Sequence, residues 1–77
     1  MLNDLTQTVD LLVETGSVLL QHGADAARVE ATLQGMAKGL EIDRIDALVM
    51  SKSILLTATR RGERDTRVAR VPITGVS

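Results

Sequence analysis

The chain contains no cysteine, phenylalanine, tyrosine or tryptophan, and only one proline and one histidine. Without cysteine there are no disulfides, no thiolate nucleophile and no thiolate zinc site. Without aromatics the core is limited to Leu, Val, Ile, Met and Ala, and no ring is present to stack a nucleic-acid base. His22 has no second histidine or cysteine to complete a metal site or a nucleophile–base pair, so no metal, no cofactor and no catalytic residues are expected. The longest apolar run, Ala47-Leu48-Val49-Met50, is far short of the roughly 20 residues needed to cross a bilayer. The first residues, Met1-Leu2-Asn3-Asp4, lack the basic start and apolar stretch of a secretory signal, so a cytoplasmic location is the expectation.

With 77 residues, residues 1–77 are read as one soluble domain. A chain of this size buries only about 60% of the surface it exposes when unfolded. Ordering costs about 1.5 kcal/mol per residue, which nearly cancels the gain from apolar burial. A partner is therefore expected, either a second copy in a homo-oligomer or a longer polypeptide. The net charge of −1 hides an asymmetry: residues 1–50 hold eight acids and three bases, net −5, and residues 51–77 hold six bases and two acids, net +4. The basic end is Lys52, Arg60, Arg61, Arg64, Arg67 and Arg70. Such asymmetry signals an anionic partner, either nucleic acid or a membrane surface.

Apolar spacing predicts a helix over about 3–22, with Leu5, Val9, Leu12, Gly16 and Leu19 in one stripe. Gly16 lies inside that stripe and would admit a neighbouring backbone. A second helix is predicted over about 26–38, with Ala26, Val29, Leu33, Met36 and Leu40 in line, Gly39 ending it and Leu40 folding back as the apolar contact of the cap. The short connection between them argues for an antiparallel helical hairpin. After Asp43 the period changes from helical to alternating. Ile45, Ala47 and Val49 share one face, while Arg44, Asp46, Leu48 and Met50 share the other. Further strands are predicted over 54–59 and 66–71, joined by the polar turn Arg61-Gly62-Glu63-Arg64-Asp65 and ended by Pro72. The fold expected is α+β, an N-terminal helical hairpin packed on a small three-stranded antiparallel sheet.

The helix corner Gly23-Ala24-Asp25-Ala26-Ala27-Arg28-Val29-Glu30 combines a chain reversal at Gly23 with a capping acid at Asp25. Downstream stand Asp43-Arg44-Ile45, opening a strand, and Thr66-Arg67-Val68, Arg70-Val71-Pro72 and Gly75-Val76. In this order the chain resembles, over essentially its whole length, the N-terminal soluble domain of the threonine/serine exporter family. Two departures stand out: an alanine at Ala27 where that family has an aromatic, and Ser51-Lys52-Ser53 where its members often have a Thr-Pro-Thr-Gly-like turn. The resemblance implies a cytoplasmic domain at the inner face of the cell membrane, ahead of a transmembrane bundle in the same or a companion polypeptide. It implies a regulatory or assembly role in amino-acid export rather than transport by the domain itself or enzymatic activity. It nominates Asp25, Arg28 and Glu30 as a binding motif.

Each nomination has a plainer counterpart. Asp25 caps a helix as any first-turn acid does, with Arg28 as a solvated neighbour. The arginines Arg60, Arg61, Arg64, Arg67 and Arg70 are read as contacts to an anionic surface such as lipid headgroups, or as solubilising charge on an exposed sheet edge. Two functions from other classes compete with the exporter domain. A small nucleic-acid-binding module using the basic hairpin is weakened by the absence of aromatics. A hydrolase-like fragment would draw on Ser51, Ser53, Thr57 and Thr59, which form no recognisable nucleophile motif.

Overall fold

A computed structural model describes residues 4–72. The elements run α1 (Leu5–Gln21), α2 (Ala26–Gly39), β1 (Arg44–Val49), β2 (Ser53–Arg60) and β3 (Glu63–Arg70). The helices pack side by side on one face of an antiparallel sheet of order β1-β2-β3. This is the α+β arrangement expected from the apolar spacing.

Local chemistry sets each helix boundary. Asp4 caps α1 reciprocally with Gln7: its carboxylate accepts from the Gln7 N–H at 2.8 Å, and the Gln7 side chain accepts from the Asp4 N–H at 3.3 Å. Both helices end in the same double hydrogen-bonded reversal. At the end of α1 the Gly23 and Ala24 N–H groups donate to the carbonyls of Leu20 and Leu19, with Gly23 at φ 91°. At the end of α2 the Glu41 and Ile42 N–H groups donate to Lys38 and Ala37. The left-handed position there is Glu41, at φ 57°, and not Gly39, which remains helical. Ile42, which closes the reversal onto Ala37, lies two residues beyond the expected Leu40 fold-back, so the cap falls later than predicted.

The core lies between helices and sheet. Leu5, Val9, Leu12, Val13 and Leu20 of α1 and Val29, Leu33 and Ala37 of α2 meet Ile45 and Val49 of β1 and Ile54, Leu56 and Ala58 of β2. Leu20 takes the buried place predicted for Leu19, which is half-buried. Gly16 is buried at the helix crossing, where an added Cβ would sit 2.8 Å from Ile54 Cδ1, 3.4 Å from Val29 Cγ1 and 3.5 Å from Leu33 Cδ1. The missing side chain makes room for three neighbouring side chains rather than for the expected backbone.

Register fixes both faces of the sheet. Leu56 pairs with Ala47 and Arg67, and Leu55 with Leu48 and Val68. The β2–β3 turn is tighter than the five-residue segment predicted. Only Arg61 and Gly62 form it, at φ 50° and 82°, the paired positive angles of a hairpin turn that matches strand twist. β3 accordingly begins three residues before its predicted start.

Candidate functional site

The helix corner is built around backbone satisfaction. Asp25 accepts the Arg28 N–H at 2.8 Å and caps α2. Its carboxylate and the Arg28 side chain are exposed, and Glu30 is half-buried. Positions 28 and 30 diverge by about 200° around a helix, and among the described residues no ion pair joins Asp25, Arg28 or Glu30. The motif places one acid on the backbone and sends two charges to different sides. His22 stands next to this corner, with its Nδ1–H donating to the Val18 carbonyl at 2.8 Å.

The five arginines do not form one surface. Arg60 shares its side of β2 with Ile54, Leu56 and Ala58 and is only 7% exposed. Its Nη2 donates to the Leu40 carbonyl at 2.7 Å and to Thr8 Oγ1 at 3.1 Å. One guanidinium thus ties the end of β2 to the first turn of α1 and the end of α2. Arg60 is therefore withdrawn from any external anion. Arg67 lies on the helix side of β3, donates to Asp10 of α1, and stands 3.9 Å from Asp65. The hydrogen bond it donates to Asp10 raises the Arg67 pKa above its ordinary value; partial desolvation opposes the shift, and the Asp10 and Asp65 charges add to it. Arg61 occupies the turn, its N–H donating to Asp43 Oδ2 at 2.8 Å and its side chain 3.9 Å from Glu41. Arg64 and Arg70 remain exposed on the opposite face. The period of two along β3 carries this division, since 64 and 70 share a parity that 67 does not.

No described helix covers that opposite face. It presents the cross-strand rows Arg44–Thr59–Arg64, Asp46–Thr57–Thr66 and Leu48–Leu55–Val68, followed by Ser53 and Arg70. Thr57 and Thr66 share a hydrogen bond between hydroxyls at 2.9 Å, and Arg44 Nε pairs with Asp46 at 3.1 Å. The apolar row is 53%, 36% and 67% exposed from Leu48 to Val68, and Met50 beside it is also exposed. A depression beyond Val68 is lined by Lys52, Ser53, Arg70, Val71 and Pro72. The sequence does not single out Leu55, because β2 is one apolar run until the pairing assigns its faces, and it marks Val68 only as part of the family pattern.

Among the described residues, no cluster of His, Asp and Glu is arranged to hold a metal ion. No described helix is long and apolar enough to cross a membrane.

This two-helix, three-stranded unit falls within a family of membrane transport proteins. The family described as "Putative threonine/serine exporter" (ThrE) matches residues 10–77, and the chain belongs to that family. Among curated proteins, the chain is similar to the "Probable succinate transporter subunit YjjP" of Escherichia coli K12, with 32% identity over 53 residues covering 69% of this chain and 21% of that protein. The protein of the same description from Klebsiella aerogenes is 34% identical over 53 residues, covering 69% of this chain and 20% of the relative. The chain thus spans about a fifth of the length of the curated relatives it matches. No solved structure matches it.

Proposed function

We propose that this chain is the cytoplasm-facing domain of an exporter of small polar metabolites, threonine and serine or a dicarboxylate, and that it acts in regulation or assembly rather than in carrying the substrate. The family match over residues 10–77 carries the proposal. A domain whose described helices are both too short and too polar to span a bilayer needs a membrane bundle for transport, in the same or a companion polypeptide. The relatives named as succinate transporter subunits support a dicarboxylate as a second substrate class. Self-association of the domain belongs to the same proposal, since so small a core gains from a partner.

The test is efflux from cells that lack their own exporters and express the membrane bundle with or without this domain. Threonine, serine and succinate are measured in parallel after preloading. Loss of efflux with the bundle still inserted supports the proposal. If the bundle also loses its subunit contacts, the role is assembly; if contacts persist while flux changes, the role is regulation. Full efflux of all three compounds without the domain refutes both.

A further inference from the structure

We propose that the bare face of the sheet is a docking surface for an anionic lipid bilayer, with Leu48, Leu55 and Val68 meeting the headgroup boundary and Arg64 and Arg70 meeting lipid phosphates. Three observations carry it. The first is the apolar row itself, which crosses all three strands on the side that no described helix covers. Val68, at 67% exposed, is the most exposed large apolar side chain among the described residues. Such a row flanked by cations is the pattern of a monotopic membrane contact.

The second observation is the separation of charge. The bare face holds Arg44, Arg64 and Arg70 against Asp46, a net +2, with Lys52 at its border beside Arg70. The helical layer, residues 4–40, holds Asp4, Asp10, Glu14, Asp25 and Glu30 against Arg28 and Lys38, a net −3. The chain is therefore a dipole with its positive pole on the apolar face, although its total charge is −1. An anionic surface attracts that face and repels the helices, so the charge also fixes orientation.

The third observation is area, which separates a bilayer from a second copy of the chain. Three strands about 4.8 Å apart, each of six to eight residues rising about 3.4 Å, present a flat projection of roughly 300–400 Å². A stable protein interface buries about 800 Å² on each partner. Two such faces would also bring like charge together. A bilayer requires no matching relief, and each cation near an anionic leaflet strengthens binding about five-fold.

This deepens the membrane-bound reading above but fails separately from it, because efflux can depend on the domain without any lipid contact. The experiment floats the 77-residue chain with vesicles of phosphatidylcholine alone, and with vesicles half phosphatidylglycerol. Binding is expected only to the anionic vesicles, falling as salt rises. Arg64→Gln with Arg70→Gln should weaken it about 20- to 30-fold, two steps of five. Val68→Glu should weaken it at least ten-fold, and Arg28→Gln on the helical side should change it less than two-fold. Circular dichroism verifies that each variant is folded, and Leu48→Gln in the same apolar row, expected to weaken binding several-fold, provides a second probe if Val68→Glu unfolds. The proposal is overturned by absence of binding to anionic vesicles, or by binding that neither face substitution weakens. It is equally overturned if the chain dimerises in sedimentation through Leu55 and Val68 while ignoring vesicles, which assigns the face to a second copy.

Discussion

Two glycines in helix interiors make opposite predictions from the same substitution. Gly35 of α2 is exposed, and a Cβ added there meets nothing within 4 Å. Gly35→Ala should therefore realise the full helix-propensity gain of about 1 kcal/mol, raising the melting temperature by about 4–8 °C for a domain of this size. Gly16→Ala has the same intrinsic gain, but its Cβ would lie 2.8 Å from Ile54 Cδ1. Ile54, Val29 and Leu33 are fully buried, so the Ile54 side chain can yield only by displacing packed neighbours. Overpacking of this kind costs about 1–3 kcal/mol. The propensity term is common to both variants, so Gly16→Ala should be less stable than Gly35→Ala by that strain alone. Ile54→Val removes the clashing methyl. By itself it should cost about 0.5–1.5 kcal/mol, and in the Gly16→Ala background clearly less, a coupling visible in a double-mutant cycle. Urea unfolding followed by far-ultraviolet circular dichroism is the assay, since a chain without tryptophan or tyrosine offers no useful intrinsic fluorescence. Equal stabilisation by the two alanines, or additive effects in the cycle, would refute the packing described at the helix crossing.

Three further outcomes are expected. Arg60→Met should destabilise the domain by about 2–3 kcal/mol, because the half-buried Leu40 carbonyl and the buried Thr8 hydroxyl lose their donor; an unchanged urea midpoint contradicts the clamp. Glu41→Gly should stabilise it by about 1 kcal/mol by relieving a left-handed non-glycine residue, and the exposed contact to Arg61 is too weak to offset this; a lower melting temperature would show that the contact matters more. Asp25→Ala should cost about 1 kcal/mol as a lost cap, whereas Arg28→Ala and Glu30→Ala should stay within about 0.5 kcal/mol; if those two lower efflux while leaving stability unchanged, the corner has a role beyond capping.

The elements were legible because their signals are local. The spacing of Leu5, Val9 and Leu12 marks a helix, and the alternation of Ile45, Ala47 and Val49 marks a strand. Local signals fail where a residue acts against its type. Glu41 takes a left-handed conformation usual for glycine, and Arg61 opens a two-residue turn that looks like part of a longer charged loop. The arginine group misled for a different reason. Six bases close in sequence look like one patch, but the alternation of a strand divides Arg64 and Arg70 from Arg67, and places Arg60 with the core side chains of β2.

By itself the sequence determined the two helices, the three strands, their order, the helix corner capped by Asp25 and the family resemblance, since these rest on spacing and residue type along the chain. Only the tertiary structure decided that Arg60 is buried, that Arg67 meets Asp10, and that Leu48, Leu55 and Val68 align on a face no described helix covers. Those facts depend on strand register and on where α1 and α2 settle. Shifting a strand by one residue exchanges every side chain between the two faces, so it was register, and not composition, that turned a run of basic residues into one clamp, one ion pair and one charged apolar surface.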